Sequence, residues 1–187
     1  MITRQQATNL LHSKMQNQNL RRHCYSVGVV MRALAKSFGG DEEAWEIVGL
    51  LHDGDYEQTK DDMANHSILM AKWLEQLGET DRDILNGVKS HGASHRGEEP
   101  KNKMEWSLFC CDELTGLIVA TALVQPNKKL SGVTVEKVLD KFRTRSFAAG
   151  AKRENIIKCE EKLGIPLPEF VEIALRAMQG ISGELGI

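Results

Sequence analysis

Gly49-Leu50-Leu51-His52-Asp53-Gly54-Asp55 ends an apolar helix on a histidine and an aspartate side by side. The helix leading into it is legible upstream. Asp41 is a capping residue, and Glu42 and Glu43 place negative charge in the first turn, where free N–H groups favour it. Trp45, Ile47, Val48, Leu50 and Leu51 then carry the segment to the His52-Asp53-Gly54-Asp55 turn. An aspartate delivered to the interior needs a counter-charge, because an unpaired buried carboxylate is strongly destabilising.

Working outward, the hydrophobic period is helical almost throughout. A first helix is expected over Thr3–Lys14 and, after the loop Asn17-Gln18-Asn19, a second over Leu20–Phe38, stopped by Gly39-Gly40. Asp61-Asp62 opens a helix that runs to Gly78, and Thr80 or Asp81 caps one that ends near His91-Gly92. Further helices are expected over Met104–Val124, Val135–Phe142 and Gly150–Leu163, and from Pro168 to Gly180. No strand, repeat or low-complexity tract interrupts them. The expectation is an all-α single domain over residues 1–187, with a helical core at about 20–125 and a C-terminal helical extension at about 126–187. That extension is read as covering the site, forming a homodimer face, or extending the core.

Composition narrows the function classes. Apolar residues make up 41% and aromatics 5%, so Leu, Ile, Val, Ala and Met must fill the core. A net charge of −2 lacks the basic footprint of a binder of polymeric nucleic acid, while a small nucleotide stays admissible. Cys24, Cys110, Cys111 and Cys159 form no CxxC and read as buried free thiols, which fits a reducing cytoplasm. The longest apolar stretch, near Leu114–Val124, falls short of the ~20 residues a membrane span needs, and no signal-peptide core is evident at the N-terminus. The sequon Asn65-His66-Ser67 reads as chance.

The histidines carry the chemistry. His23 shares a face with Val27, Val30 and Leu34; His66 with Leu69, Met70, Trp73, Leu74 and Leu77; His91 with Ile84 and Val88. Asp112 shares one with Leu108, Thr115 and Val119. Five helices thus each turn an imidazole or carboxylate inward, with no Lys or Arg on the same faces, and a metal ion would satisfy them together. His12 and His95 fall outside this pattern and read as surface residues, with His95 within reach of a substrate from its loop.

The ordered set His23, His52-Asp53 and Asp112 resembles the HD-domain superfamily of metal-dependent phosphohydrolases over about residues 20–125. His66 and His91 match the two further histidines of its HDIG-type subgroup, although Gly54 and Asp55 stand where Ile and Gly are usual. Leu114-Thr115-Gly116-Leu117 and Ser146-Phe147-Ala148-Ala149-Gly150 look like an uncharacterised bacterial branch of that group. The resemblance implies His23, His52, Asp53, His66, His91 and Asp112 as ligands of one or two divalent ions, bridged by Asp53 when there are two. Mixed imidazole and carboxylate donors favour Fe or Mn, and admit Zn, Ni, Co or Mg.

Such ions activate water and polarise a phosphoryl oxygen. Asp53 is expected to orient the site and Asp55, or a loop residue, to handle protons. Lys89, Arg145 and Arg153 are the expected substrate-binding cations, with Lys60, Arg143 and Lys152 nearby in sequence. The favoured function is hydrolysis of a small phosphoester or nucleotide. The competing readings are a di-iron oxygenase of the same fold and a catalytically silent ligand-sensing module.

Overall fold

A computed structural model describes residues 1–187. Its helices are α1 (Arg4–Lys14), α2 (Gln18–Phe38), α3 (Glu42–Leu51), α4 (Tyr56–Thr59), α5 (Ile68–Gln76), α6 (Arg82–His91), α7 (Lys103–Leu123), α8 (Val135–Arg143), α9 (Arg153–Ile156), α10 (Leu167–Gly180) and α11 (Ser182–Leu185). There is no strand, so the all-α reading holds. One core of 44 buried apolar residues runs from Ile2 to Leu185 and includes the C-terminal helices.

The helix ends follow their sequence signals. Thr3 forms a reciprocal capping box with Gln6 at the start of α1. The Asn17, Asp41, Asp81 and Asn102 side chains accept first-turn N–H groups of α2, α3, α6 and α7. Gly39 ends α2 at φ 66°, a left-handed conformation that glycine adopts without steric cost.

Two of these helices lie at the centre. Every residue of α3 from Ala44 to Leu51 is buried. The long α7 packs against α2, α6, α8, α9 and α10. By length and composition α7 could cross a membrane, yet 61% of the qualifying stretch is buried inside the bundle, as expected of a core helix.

Glycines let α2 and α3 approach closely. A Cβ on Gly49 would stand 2.8 Å from Val27 O and 2.9 Å from Gly28 Cα, both backbone atoms. This crossing brings the start of α2, with His23, beside the end of α3, with His52.

Two expected helices are broken. Asp61 does not open a helix that contains His66. After α4 the chain makes turns, the Asn65 amide donates to Asp62 Oδ2 at 2.7 Å, and Ser67 sits at φ 66°, so α5 begins only at Ile68. Met70 and Leu74 still face the core, whereas Leu77, the C-cap of α5, is 42% exposed. The second break falls in Gly150–Leu163. It divides into α9 and a π-type turn at Cys159–Leu163, which Gly164 ends at φ 75°. Turns occupy residues 145–150, with Ala148 at φ 45°.

The crossing predicts opposite signs for one substitution at two positions. Gly49→Ala is expected to destabilise by about 1–3 kcal/mol, because backbone cannot move aside as a side chain can. Gly116→Ala, in the middle of α7 with nothing within 4 Å of the added carbon, is expected to raise stability by about 0.5–1 kcal/mol through helix propensity. Thermal melting of the two variants checks both signs.

Candidate metal centre

His23 comes from α2, His91 from the last turn of α6 and Asp112 from the middle of α7. His52 caps the end of α3 and Asp53 follows it. His66 arrives from the turn before α5 rather than from a helix face. All six expected ligands therefore meet, although three helices and two turns deliver them.

The contacts form a continuous net. His23 Nε2 lies 2.8 Å from Asp112 Oδ1, and His52 Nε2 lies 3.6 Å from the same oxygen. Asp53 Oδ1 lies 3.1 Å from His66 Nε2 and 3.4 Å from His91 Nε2. His91 Nδ1 is 3.6 Å from Asp112 Oδ2, so this ring bridges the two carboxylates. Two groups, His23–His52–Asp112 and His52–Asp53–His91, each hold their ligand atoms within 4.8 Å of one another.

Behind the net, the second ring nitrogens are fixed. The Gly49 carbonyl can only accept, so His52 Nδ1–H donates to it at 2.6 Å. The Thr115 hydroxyl donates to Asp112 O at 2.8 Å and therefore accepts from His23 Nδ1–H at 3.4 Å. The Thr59 hydroxyl donates to Asp55 O at 2.9 Å and accepts from His66 Nδ1–H at 3.0 Å. Three imidazoles are thus anchored through Nδ1 and aim Nε2 at the carboxylates, the arrangement that orients histidines on a metal.

His52 Nε2 supplies the test of fit. It is fully buried and has no hydrogen-bond partner. With Nδ1 as donor, Nε2 presents a lone pair, and a buried acceptor without a donor is costly. A cation there would satisfy it together with Asp112 and Asp53. The donor set, imidazole nitrogen and carboxylate oxygen, suits a divalent transition metal.

Electrostatics agree. Burial opposes ionisation of Asp53, but hydrogen bonds from His66 and His91 and the nearby His52 hold its carboxyl well below the usual range. Burial also opposes ionisation of Asp112, and His23, His52 and His91 overcome it in the same way. For His66, burial favours the neutral ring, yet Asp53 and Asp55 raise its pKa to about 9. Burial, reinforced by Asp53 and Asp112, pushes the thiol of Cys24 well above its usual value. Cys111 is shifted the same way by burial and Asp112, so both thiols stay neutral. All four cysteines are free and buried.

Asp55 does not fit the expected proton-handling role. It is fully buried; Oδ1 lies 2.9 Å from His66 Nδ1 as an ion-pair partner, and Oδ2 accepts the first-turn N–H of Met70 in α5 at 2.9 Å. Its carboxylate therefore positions His66 and α5 from behind. Arg96 supports the same turn by donating to His66 O at 3.2 Å and Lys89 O at 2.6 Å. Gly92 permits this packing, since a Cβ there would collide with the His66 carbonyl oxygen.

The expected substrate cations lie elsewhere. Lys89 Nζ points to Glu75 at 3.8 Å. Arg145 is exposed and lines a pocket with Phe142 and Arg153 that contains none of the six ligands. Arg153 donates to the carbonyls of Lys141, Phe142, Phe147, Ala148 and Ala151, so its guanidinium clamps the 141–151 segment. His12 is exposed and pairs with the Tyr25 hydroxyl, away from the centre. Two openings reach a histidine ligand together with Asp112, and a third reaches His23 alone, beside Arg22 and Ser26. Of the first two, one is lined by His91 and Asp112 with Ser90, Ser94, His95 and Lys152, the other by His23 and Asp112 with Gly116, Ala148 and Gly150. Sequence reasoning noted residues 146–150 only as a family likeness and gave neither them nor Ser94 a place at the site, because only the turns at 93–96 and 145–150 bring them over the centre.

A family model described as HD domain matches residues 20–144, which takes in α8 beyond the core expected from sequence. No curated protein and no solved structure matches the chain significantly.

Thr115→Val removes the acceptor behind His23 and is expected to weaken metal affinity about 10–100-fold while the fold persists; competition with a chelating dye measures it. The metal-free protein should also show a pH signature. His66 has a folded pKa of about 9 against 6.5 for the free side chain, so its stabilising effect is complete below 6.5 and is lost as pH rises through 9. Asp53 and Asp112 are shifted down, so their effect is present above the usual carboxylate range and is lost on acidification below it. Melting temperature against pH should fall on the alkaline side in the metal-free protein, and should do so less with metal bound, because the ion replaces the His66 proton.

Proposed function

The chain belongs to the HD-domain family, and on that premise we propose that it is a metal-dependent phosphohydrolase acting on a small phosphoester or nucleotide. The observation that carries this reading is the set of imidazoles anchored through Nδ1 around two largely buried carboxylates. His23, His52, Asp53 and Asp112 would hold one divalent ion, and His66 and His91, with Asp53 shared, a second. Fe or Mn suits this donor set best. When bound, such an ion acidifies water and polarises a phosphoryl oxygen.

The chain's own residues hold the site in register. Asp53 contacts histidines from two different segments, so its carboxylate ties the α6 end to the turn before α5. Thr115, Gly49 and Thr59 fix the ring orientations, and Asp55 holds His66 from behind. The turns at 93–96 and 145–150 border the openings through which substrate would enter. Four buried free thiols fit a reducing cytoplasm.

A di-iron oxygenase reading draws on the same six residues, since His66 and His91 both reach Asp53. The test separates the two. Wild type and Asp53→Ala, purified without chelator, are compared for metal content and for hydrolysis of p-nitrophenyl phosphate and a panel of nucleotides, in nitrogen and in air. The phosphohydrolase reading predicts bound transition metal, turnover without oxygen, and loss of both in the variant. Turnover only in air supports the oxygenase, and no metal uptake on reconstitution contradicts both.

A further inference from the structure

The geometry points to Lys152 and His95 as the side chains that bind the substrate's phosphoryl oxygens at the mouth of the centre. This assignment rests on the phosphohydrolase reading and names what that site recognises. Lys152 and His95 come from separate segments, the turn before α9 and the 3₁₀ turn Ala93–Arg96, and line one cleft of ≈ 90 Å³ with His91 and Asp112. A phosphoryl group needs positive or N–H partners besides the metals, and of the cations expected from sequence Lys89 is turned to Glu75 and Arg153 is spent on carbonyls.

Lys152 is held by its backbone and free at its tip. Its N–H donates to Glu113 Oε2 at 3.1 Å, and the next residue, Arg153, clamps the preceding segment. The exposed ammonium makes no hydrogen bond or ion pair within the chain. The acidic members of the cleft are otherwise engaged. Glu113 also accepts from Asn155 Nδ2 at 3.3 Å, and Glu105 accepts from Lys101 N at 2.7 Å and Asn102 Nδ2 at 3.0 Å.

His95 is likewise exposed and without a hydrogen-bond partner, on a turn that Arg96 fixes from below. An anion entering the cleft would meet free donors on two sides, with the ligands at its base.

The test uses manganese-loaded full-length protein and inorganic phosphate in calorimetric titration, for wild type, Lys152→Ala, Lys152→Arg and His95→Ala, with metal content measured on each. Wild type should bind phosphate. Lys152→Ala should weaken binding about tenfold or more, as expected for loss of a charged hydrogen bond. His95→Ala should weaken it less, and Lys152→Arg should stay within about threefold of wild type. Metal content should be equal in all four. Phosphate binding in Lys152→Ala and His95→Ala within about twofold of wild type overturns this assignment and leaves the proposed function standing. A metal-loaded wild type that binds no phosphate overturns the assignment and removes the support for a phosphoester substrate. Loss of metal in Lys152→Ala overturns it too, by showing that the residue acts on the centre itself.

Discussion

Two aspartates sit inside the bundle with no lysine or arginine beside them. Asp53 and Asp112 have side chains only 13% and 20% exposed, and every ion-pair partner of either is a histidine. Buried carboxylates without fixed positive charge are destabilising. Four imidazoles can neutralise them only by carrying protons, whereas a divalent cation does so without any. The close crossing of α2 and α3, the break before α5 and the fixed Nδ1 nitrogens all serve to bring these groups together.

The site is built so that rigid parts hold the ligands and looser parts border the openings. His23 and Asp112 project from the two longest helices, and His52 follows a helix that is buried along nearly its whole length. Positions on such elements are set by packing, which gives a precision that loops rarely reach. The residues that border the openings lie outside the long helices: Arg96 anchors the turn of Ser94 and His95, Arg153 clamps the segment that carries Ala148 and Gly150, and Lys152 follows it, its N–H on Glu113. This division is common where a fixed reactive centre is combined with variable recognition.

Much of this was legible in the sequence. A 3.6-residue period assigns His23, His91 and Asp112 to inward faces, and capping residues mark the starts of α3 and α6. His66 is instructive because the helical stripe from His66 to Leu77 is genuine in its middle, yet the helix starts two residues after the histidine. A hydrophobic period cannot reveal a left-handed residue such as Ser67. Asp55 is hidden for another reason: it follows the His-Asp pair by two residues, and only the path of the turn decides whether its carboxylate faces the opening or the back of His66. Arg153 and Lys152 are adjacent cations of equal standing in sequence. What separates them is a set of carbonyls, and every residue carries one, so composition gives no sign of which cation they will take.

The central claim is that two carboxylates and four histidines form a metal centre, and anomalous diffraction tests it most directly. Crystals grown with Mn²⁺, with data collected on both sides of the manganese edge, would locate any bound ion independently of assumed chemistry. The account predicts one or two anomalous peaks within about 2–2.5 Å of Nε2 or carboxylate oxygens from His23, His52, Asp53, His66, His91 and Asp112. An occupied lattice with manganese only at surface carboxylates, and ordered water or direct hydrogen bonds joining these six side chains, would contradict it.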